Sequence, residues 1–456
     1  MSSLQHGPIY AADSTRLGYP VEFVFNHPAM RPCSRAALGF TTALHGYPTR
    51  VPEERNGRTQ PGGLMRAVTW QGKRDVRVET VPDPKIQEPT DAIIELTTTN
   101  ICGSDLHLYE VLGPFMNAGD ILGHEPMGRV VEVGADVKNL AVGDRVVIPF
   151  QICCGSCFMC DRGLHTQCET TQVTSEGRGA ALFGFSQLYG QVPGGQAEYL
   201  RVPLADFTHI KVPEGPPDSR FVYLSDVLPT AWQAVEYANV PDGGTVTVLG
   251  LGPIGDMCAR IAAHRGYDVV AVDMVPERLD RATARGIDTI DMRSHKNIGE
   301  VIRDRTSGRG TDAVIDAVGM EAHGAPVAKL VQTVAGLLPD AVAQPVFKTA
   351  GVDRLTAVYT AIDAVRRGGT VSLIGVYGGE ADPLPLGTMF DKQINVRMGQ
   401  ANVKHWVDDI MPLLTDDDPL GVDTFATHEV SLEEAPHAYE IFSKKQDGAV
   451  KILLRP

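Results

Sequence analysis

Cys154, Cys157, Cys160 and Cys168 lie within fifteen residues of one another, and this cluster constrains the chain more tightly than any other stretch. Two residues separate each thiol from the next in Cys154-Gly155-Ser156-Cys157-Phe158-Met159-Cys160, and Gly163 lets the backbone reverse so that Cys168 can approach them. Four thiolates at such spacing close a tetrahedron around one zinc ion, a structural site with no position left for chemistry. A disulfide pair or a redox Cys-x-x-Cys would each leave two thiols without a role. Cys153 is the spare, since using it in place of Cys154 would spoil the even spacing.

A second, smaller set precedes the first. Cys102 sits in Asn100-Ile101-Cys102-Gly103-Ser104-Asp105-Leu106-His107, and His124 in Gly123-His124-Glu125-Pro126. A catalytic zinc takes three protein ligands and keeps a fourth position for water or substrate. The Cys102/His124 pair reads as such a site lacking its third ligand, which makes two zinc ions per chain.

Further along, a strand at Thr245–Leu249 runs into Gly250-Leu251-Gly252-Pro253-Ile254-Gly255. Ile254, Met257, Cys258, Ile261 and Ala262 then recur with helical period, and a second strand ends in the acidic Asp273. Strand, glycines, helix, strand and terminal carboxylate in this order form a dinucleotide-binding signature. Gly250 permits the tight turn, Gly252 lets backbone approach a pyrophosphate, and Gly255 lets helix and strand pack closely, with Pro253 and Ile254 opening the helix over the phosphates. Asp273 would accept hydrogen bonds from the adenosine ribose and repel a 2′-phosphate, which selects NAD. Arg278 reads either as a phosphate partner or as a helix-surface or adenine-side contact.

The length of 456 residues gives a soft expectation of about three domains. Residues 1–64 carry seven prolines and no sustained period, and read as a mostly disordered extension. From Met65 short β-branched runs follow: Met65–Trp70, Asp91–Thr97, Gly128–Val133 and Asp144–Ile148. After Asp226 strands alternate with helices, with further strands at Thr289–Met292, Asp312–Gly319, Gly369–Ile374 and Ile394–Met398, a pattern that builds a doubly wound parallel sheet. The net charge of −15 argues against nucleic acid or an anionic membrane as partner. No apolar run approaches the roughly 20 residues that span a bilayer, and no signal peptide is evident. With clustered metal-type cysteines, this points to a reducing cytoplasm.

The motifs C-G-S-D-L-H, G-H-E-P-M-G-R-V-V-E-V-G, V-G-D-R-V, the cysteine cluster and G-G-Q-A-E-Y resemble those of the zinc-containing medium-chain alcohol dehydrogenases, from Met65 to Pro456. The stretch S-D-x-L-P-T at Ser225–Thr230 is similar to the formaldehyde dehydrogenase branch. The resemblance implies an α/β chain with a GroES-like β-rich catalytic domain, residues 65–226 and 400–456, around an inserted Rossmann domain, residues 227–399. It implies Asp226 as the third ligand of the catalytic zinc, and charge agrees, because one thiolate and one carboxylate neutralise Zn²⁺. A helix N-cap is the other reading of Asp226. By the same resemblance Glu125 stands behind the metal or acts as an outer acceptor, Ser104 takes the substrate proton, His107 passes it to solvent, and Thr230 holds the nicotinamide end.

The implied reaction moves a hydride between a small alcohol or aldehyde hydrate, formaldehyde-like, and NAD, in a homodimer or homotetramer. Two other classes remain: a methyltransferase with a Rossmann-type sheet, which has no use for the Cys102/His124 pair, and a zinc-stabilised binding protein derived from a dehydrogenase. About 50 residues separate the strand ending at Gly319 from that near Gly369, where a single crossover needs nearer 30. Val327, Leu330, Val331 and Val334 form one helical stripe there, and Leu355, Val358, Tyr359, Ile362 and Val365 another. The surplus at Met320–Phe347 reads either as a cover that restrains NAD release or as a subunit contact.

Overall fold

The computed structural model describes residues 63–319, 355–377, 384–415 and 417–456. Residues 1–62 of the expected extension, and the surplus segment at 320–347, lie outside the described residues. The first strands follow the alternation of β-branched and polar side chains: β1 (Leu64–Gly72) and β2 (Asp75–Pro82) form a hairpin, and β3 (Ala92–Ile101) runs on into helix α1 (Gly103–Glu110). Then come β4 (Asp120–Ile121), β5 (Met127–Val133), β6 (Arg145–Val147), β7 (Tyr199–Val202) and β8 (Ile210–Lys211). Ala92, Ile94 and Leu96 of β3 are buried, and so are the polar Thr98, Thr99 and Asn100. A strand covered on both faces in this way is the spine of a partly closed β domain.

Helix α2 (Val227–Ala238) starts the second half, with Pro229 in its first turn, where a missing N–H costs nothing. Six parallel strands follow, alternating with helices: β9 (Thr245–Leu249), α3 (Pro253–His264), β10 (Asp268–Asp273), α4 (Pro276–Thr283), β11 (Asp288–Asp291), α5 (Ile298–Arg305), β12 (Thr311–Asp316), α6 (Thr356–Ala364), β13 (Val365–Leu373), α7 (Leu386–Lys392) and β14 (Asn395–Met398). Their order in the sheet is β11-β10-β9-β12-β13-β14. The direction of winding changes between β9 and β12, and a ligand crevice forms beyond the carboxyl ends of strands at such a switch point. Met257, Cys258, Ile261 and Ala262 of α3 are buried against the sheet, whereas Ile254 of the expected stripe is only partly buried and turns to the crevice. In α6 the residues Val358 and Ile362 are buried as their spacing requires, but Tyr359 lies on the outer face.

The chain then returns to its first half. Helix α8 (Val403–Ile410), β15 (His428–Ser431), α9 (Ala435–Lys444) and β16 (Ile452–Arg455) close the molecule, and β16 pairs antiparallel with β3, Ile452 opposite Ile101. The seven-stranded sheet reads β15-β16-β3-β5-β6-β8, with β7 also on β3. No helix among the described residues is long and apolar enough to cross a membrane.

Candidate active site and cysteine lobe

The Sγ atoms of Cys154, Cys157, Cys160 and Cys168 all lie within 4.8 Å of one another, and none of these residues is in a disulfide. Gly163 turns the loop at φ +70°, where a Cβ would come within 2.7 Å of His405 Nδ1. Backbone amides point at the sulfurs: Cys154 N–H donates to Cys168 Sγ at 3.3 Å, Glu169 N–H to Cys157 Sγ at 3.4 Å and Ser156 N–H to Cys154 Sγ at 3.5 Å. Such donors favour thiolate over thiol. Burial pushes the Cys154 thiol up, but hydrogen bonds led by Thr170 outweigh it and bring it down to about 6. Four converging sulfurs supplied with N–H donors fit a closed zinc site. Cys153 stays out of it, its backbone engaged by Thr208 and its thiol pushed up by burial. The lobe docks on the return segment, where the Thr166 N–H and hydroxyl both donate to Asn402 Oδ1 at 3.0 Å.

The second set is assembled from three elements. Cys102 occupies the N-cap of α1 and donates its own N–H to Asp105 Oδ2 at 2.9 Å, the reciprocal half of a capping box. His124 comes from the loop before β5. Asp226 is the N-cap residue of α2 by position, but its carboxylate makes no cap bond and turns into the site. Its Oδ2 lies 3.5 Å from Cys102 Sγ and 3.4 Å from His124 Nε2, and all three residues are buried. Thr230, one helical turn on, donates its hydroxyl to Asp226 Oδ1 at 2.6 Å.

Behind this set stand residues that the sequence reading missed. Asp105 Oδ1 lies 3.1 Å from His124 Nδ1. Gln196 donates to Asp105 Oδ2 at 3.2 Å and to the Asn100 carbonyl at 3.0 Å, and Tyr439 of α9 donates to Gln196 Oε1 at 2.8 Å. Lys451 forms an ion pair with Glu125, both wholly buried. The Cys-x-x-Asp capping spacing could have disclosed Asp105. Gln196 lies within the G-G-Q-A-E-Y motif, which carried no role for it, whereas Tyr439 and Lys451 reach the site through tertiary pairing and leave no local signal.

The electrostatics ask for a cation. Burial pushes the Cys102 thiol and the Glu125 carboxyl up. Burial also opposes charge on His124, but the Asp105 carboxylate, with further hydrogen bonds, holds its imidazole protonated well above the usual range. Burial raises Asp226 as well, yet hydrogen bonds from His124 and Thr230 win and hold it low. In the polypeptide alone an imidazolium therefore balances this nest. A divalent ion would displace its proton from Nε2, and one thiolate with one carboxylate would cancel the ion's charge, so the donor set fits zinc with a position to spare.

A cleft of about 670 Å³ runs from these residues to the end of β10. Ser104, His107 and Thr230 line it, and Ser104 Oγ lies 3.9 Å from Cys102 Sγ. Gly250, Gly252, Pro253, Ile254, Asp273 and Arg278 line the other end. Gly250 turns at φ +83°, and a Cβ on Gly255 would fall 1.8 Å from the Gly250 carbonyl oxygen, so Gly255 serves helix packing and does not line the cleft. Asp273 accepts N–H groups from Leu251 at 2.6 Å, Met274 at 2.6 Å and Val275 at 2.8 Å, which ties the glycine turn to β10. Arg278 approaches the same carboxylate at 3.8 Å.

Residues 88–214 match the family model of the alcohol dehydrogenase GroES-like domain, and residues 253–334 that of the zinc-binding dehydrogenases. The chain is 42% identical over 398 residues to the uncharacterized zinc-type alcohol dehydrogenase-like protein AdhB of Bacillus subtilis strain 168, covering 86% of this chain and 100% of that one. It is 33% identical over 403 residues to formaldehyde dismutase of Pseudomonas putida, covering 83% and 95%. Among solved structures, the alcohol dehydrogenase TADH from Thermus sp. ATN1 superposes with a TM-score of 0.71 at 33% identity, covering 86% of this chain and 99% of that one.

Proposed function

This chain belongs to the zinc-containing medium-chain alcohol dehydrogenase family, and from that premise we propose that it transfers a hydride between NAD and a small alcohol or aldehyde hydrate, formaldehyde-like aldehydes included. One observation carries the reading: a single cleft has the Cys102/His124/Asp226 donors at one end and the glycine turn with Asp273 at the other. The formaldehyde part is supported by the likeness to a protein named formaldehyde dismutase. Zinc at the three donors would supply Lewis-acid polarisation of the substrate oxygen, and NAD along the glycine turn would supply the hydride acceptor.

The chain's own residues do the rest. Ser104 takes the substrate's hydroxyl proton, and His107, one turn further along α1, relays it to solvent. Asp105, close to Nδ1 of His124, keeps the ring proton on that side and leaves the Nε2 lone pair for the ion. Thr230 fixes the rotamer of Asp226, and Lys451 neutralises Glu125 behind the site. A carboxylate offers about four acceptor positions. Three amides take up Asp273's, and the remaining one serves a ribose hydroxyl while the charge repels a 2′-phosphate.

Four cysteines in the lobe hold a second zinc in this reading, and their need for reduced thiols supports a cytoplasmic location. Residues 65–226 with 400–456 form the catalytic domain, and residues 227–399 the cofactor domain. The edge strand β14, whose residues are all exposed, with Met398 at 62% and nearby Phe390 at 87%, supports pairing of two copies edge to edge in a homodimer or a homotetramer.

The test is NADH formation by zinc-loaded protein with formaldehyde and a series of primary alcohols, beside NADP as cofactor. NAD should be preferred, and Asp273→Ser should raise the relative use of NADP. Folded, zinc-loaded protein that reduces neither cofactor with any alcohol or aldehyde would remove the reading.

A further inference from the structure

Arg178 lines the cleft, yet the donor set and the proton relay make no use of it. It follows the turn at Thr174–Glu176, with its backbone N–H donated to the Val173 carbonyl at 3.1 Å. The side chain is half-buried and its Nε, shielded from solvent, has no hydrogen-bond partner. Nor does Arg178 form an ion pair with any carboxylate among the described residues. Two other arginines of this half of the chain are paired, Arg145 with Asp218 and Arg201 with Asp91, and Arg162 donates to the Phe158 carbonyl. A buried donor without a partner is uncommon and costly in a folded protein, and it calls for a partner that the polypeptide does not supply.

The surroundings locate Arg178 at the donor-set end. Its charge reaches the hydroxyl of Tyr189, which also faces the Gln400 side chain. Tyr189 packs edge-on against Phe185 with ring centroids 5.5 Å apart. Phe185 follows Gly184, where a Cβ would fall 2.4 Å from the carbonyl oxygen of Gly123, the residue before His124. The cofactor end has its own arginine, Arg278, beside Asp273.

We infer that Arg178 binds an anionic end group, carboxylate or phosphate, of the alcohol or aldehyde whose oxygen reaches the Cys102/His124/Asp226 site, with the intervening carbons against Phe185 and Tyr189. The planar guanidinium fork matches both anions with two parallel N–H donors. The inference rests on the dehydrogenase reading above. The anion takes no part in the redox step: the carbinol C–H pair leaves as hydride to NAD⁺, giving NADH, and the hydroxyl proton goes to solvent. Short ω-hydroxy acids or hydroxyalkyl phosphates are then better substrates than neutral alcohols of the same length.

The test compares 4-hydroxybutanoate with 1-butanol and 3-hydroxypropyl phosphate with 1-propanol, using zinc-loaded full-length protein and NAD. At least one anion should exceed its neutral partner in kcat/KM by about tenfold or more, mainly through KM. Arg178→Met should collapse that ratio and Arg178→Lys should retain part of it. The two arms tell a carboxylate site from a phosphate site. A ratio near one in the wild type, or a ratio that survives Arg178→Met, overturns the inference. Binding gives a second readout: a thermal upshift with an anion, absent with its neutral partner and lost in Arg178→Met, supports the site even where no compound turns over, and in that case the dehydrogenase reading is what fails. Equal shifts with anion and neutral alcohol count against the site.

Discussion

The cysteine lobe and the Cys102/His124/Asp226 set use overlapping donor chemistry and are built by opposite means. The lobe draws its sulfurs from one short loop and supports them with that loop's own amides. The second set joins residues 124 positions apart and supports them with side chains from α1, α2 and α9 and from the flanks of β7 and β16. A local set holds its own loop together, so losing it costs folded protein. A dispersed set forms only after distant segments have met, so losing one donor costs chemistry and leaves the scaffold standing.

That contrast can be broken most sharply at Cys157. Structural zinc contributes roughly 10–16 kcal/mol of apparent binding energy, comparable to or larger than the net stability of a whole domain. Cys157→Ser should therefore yield little folded protein, read as expression yield and loss of a cooperative thermal transition. A variant with wild-type yield and melting would contradict the division of labour. Cys102→Ala should retain its melting transition, lower zinc from about two to about one per chain, and lose NAD reduction altogether. Wild-type zinc content in that variant would show that Cys102 holds no metal.

A smaller effect is expected one layer out. Asp105→Asn keeps the shape but removes the charge facing His124, and should weaken zinc retention or activity by about 10–100-fold. Competition with a chelator measures it, and an unchanged zinc affinity together with unchanged activity would mean that Asp105 only caps α1. The smallest expected effect lies at the lobe's docking face. Burial, with Lys404 and His405 nearby, lowers the His165 imidazole to about 4. An unfolded imidazole titrates near 6.5, so between these values the unfolded chain binds a proton that the folded chain refuses. Stability should fall as pH drops from about 6.5 to about 4, with no further loss from this group below that. His165→Asn should flatten this acid limb in denaturation midpoints, and identical pH slopes in both proteins would assign the limb to other groups.

The same contrast explains what could be read from the chain. The lobe and the glycine turn are legible because each compresses its chemistry into a few consecutive residues, where spacing and backbone geometry do the specifying. Strand positions in the cofactor half follow from continuous β-branched runs, with ends displaced by a few residues, as where Met292 leaves β11 for a 3₁₀ turn. Asp226 has the position of a helix cap, and no periodicity separates that role from a turn toward Cys102; family resemblance suggested it, with charge balance in agreement. Lys451 is less legible still, since a lysine in a terminal strand ordinarily lies at the surface and its burial depends on Glu125 lying across the sheet.

The pairing of β16 with β3 also sets an order of events during synthesis. Ile452, in the last strand, faces Ile101, which lies in the first part of the chain, and Lys451, its neighbour, is the counter-charge to the residue that follows His124. The parallel sheet of residues 245–398 can form while the ribosome is still adding the return segment, because every strand in it is already present. The proposed reactive centre cannot, since the buried Glu125 behind it has no counter-charge until the last few residues emerge. A nascent chain would thus carry a cofactor fold before it carries a finished metal site, and pairing of such high contact order makes the closing step slow. Ribosome-bound fragments ending before Thr427 would be expected to bind nucleotide and to release zinc from the open site readily.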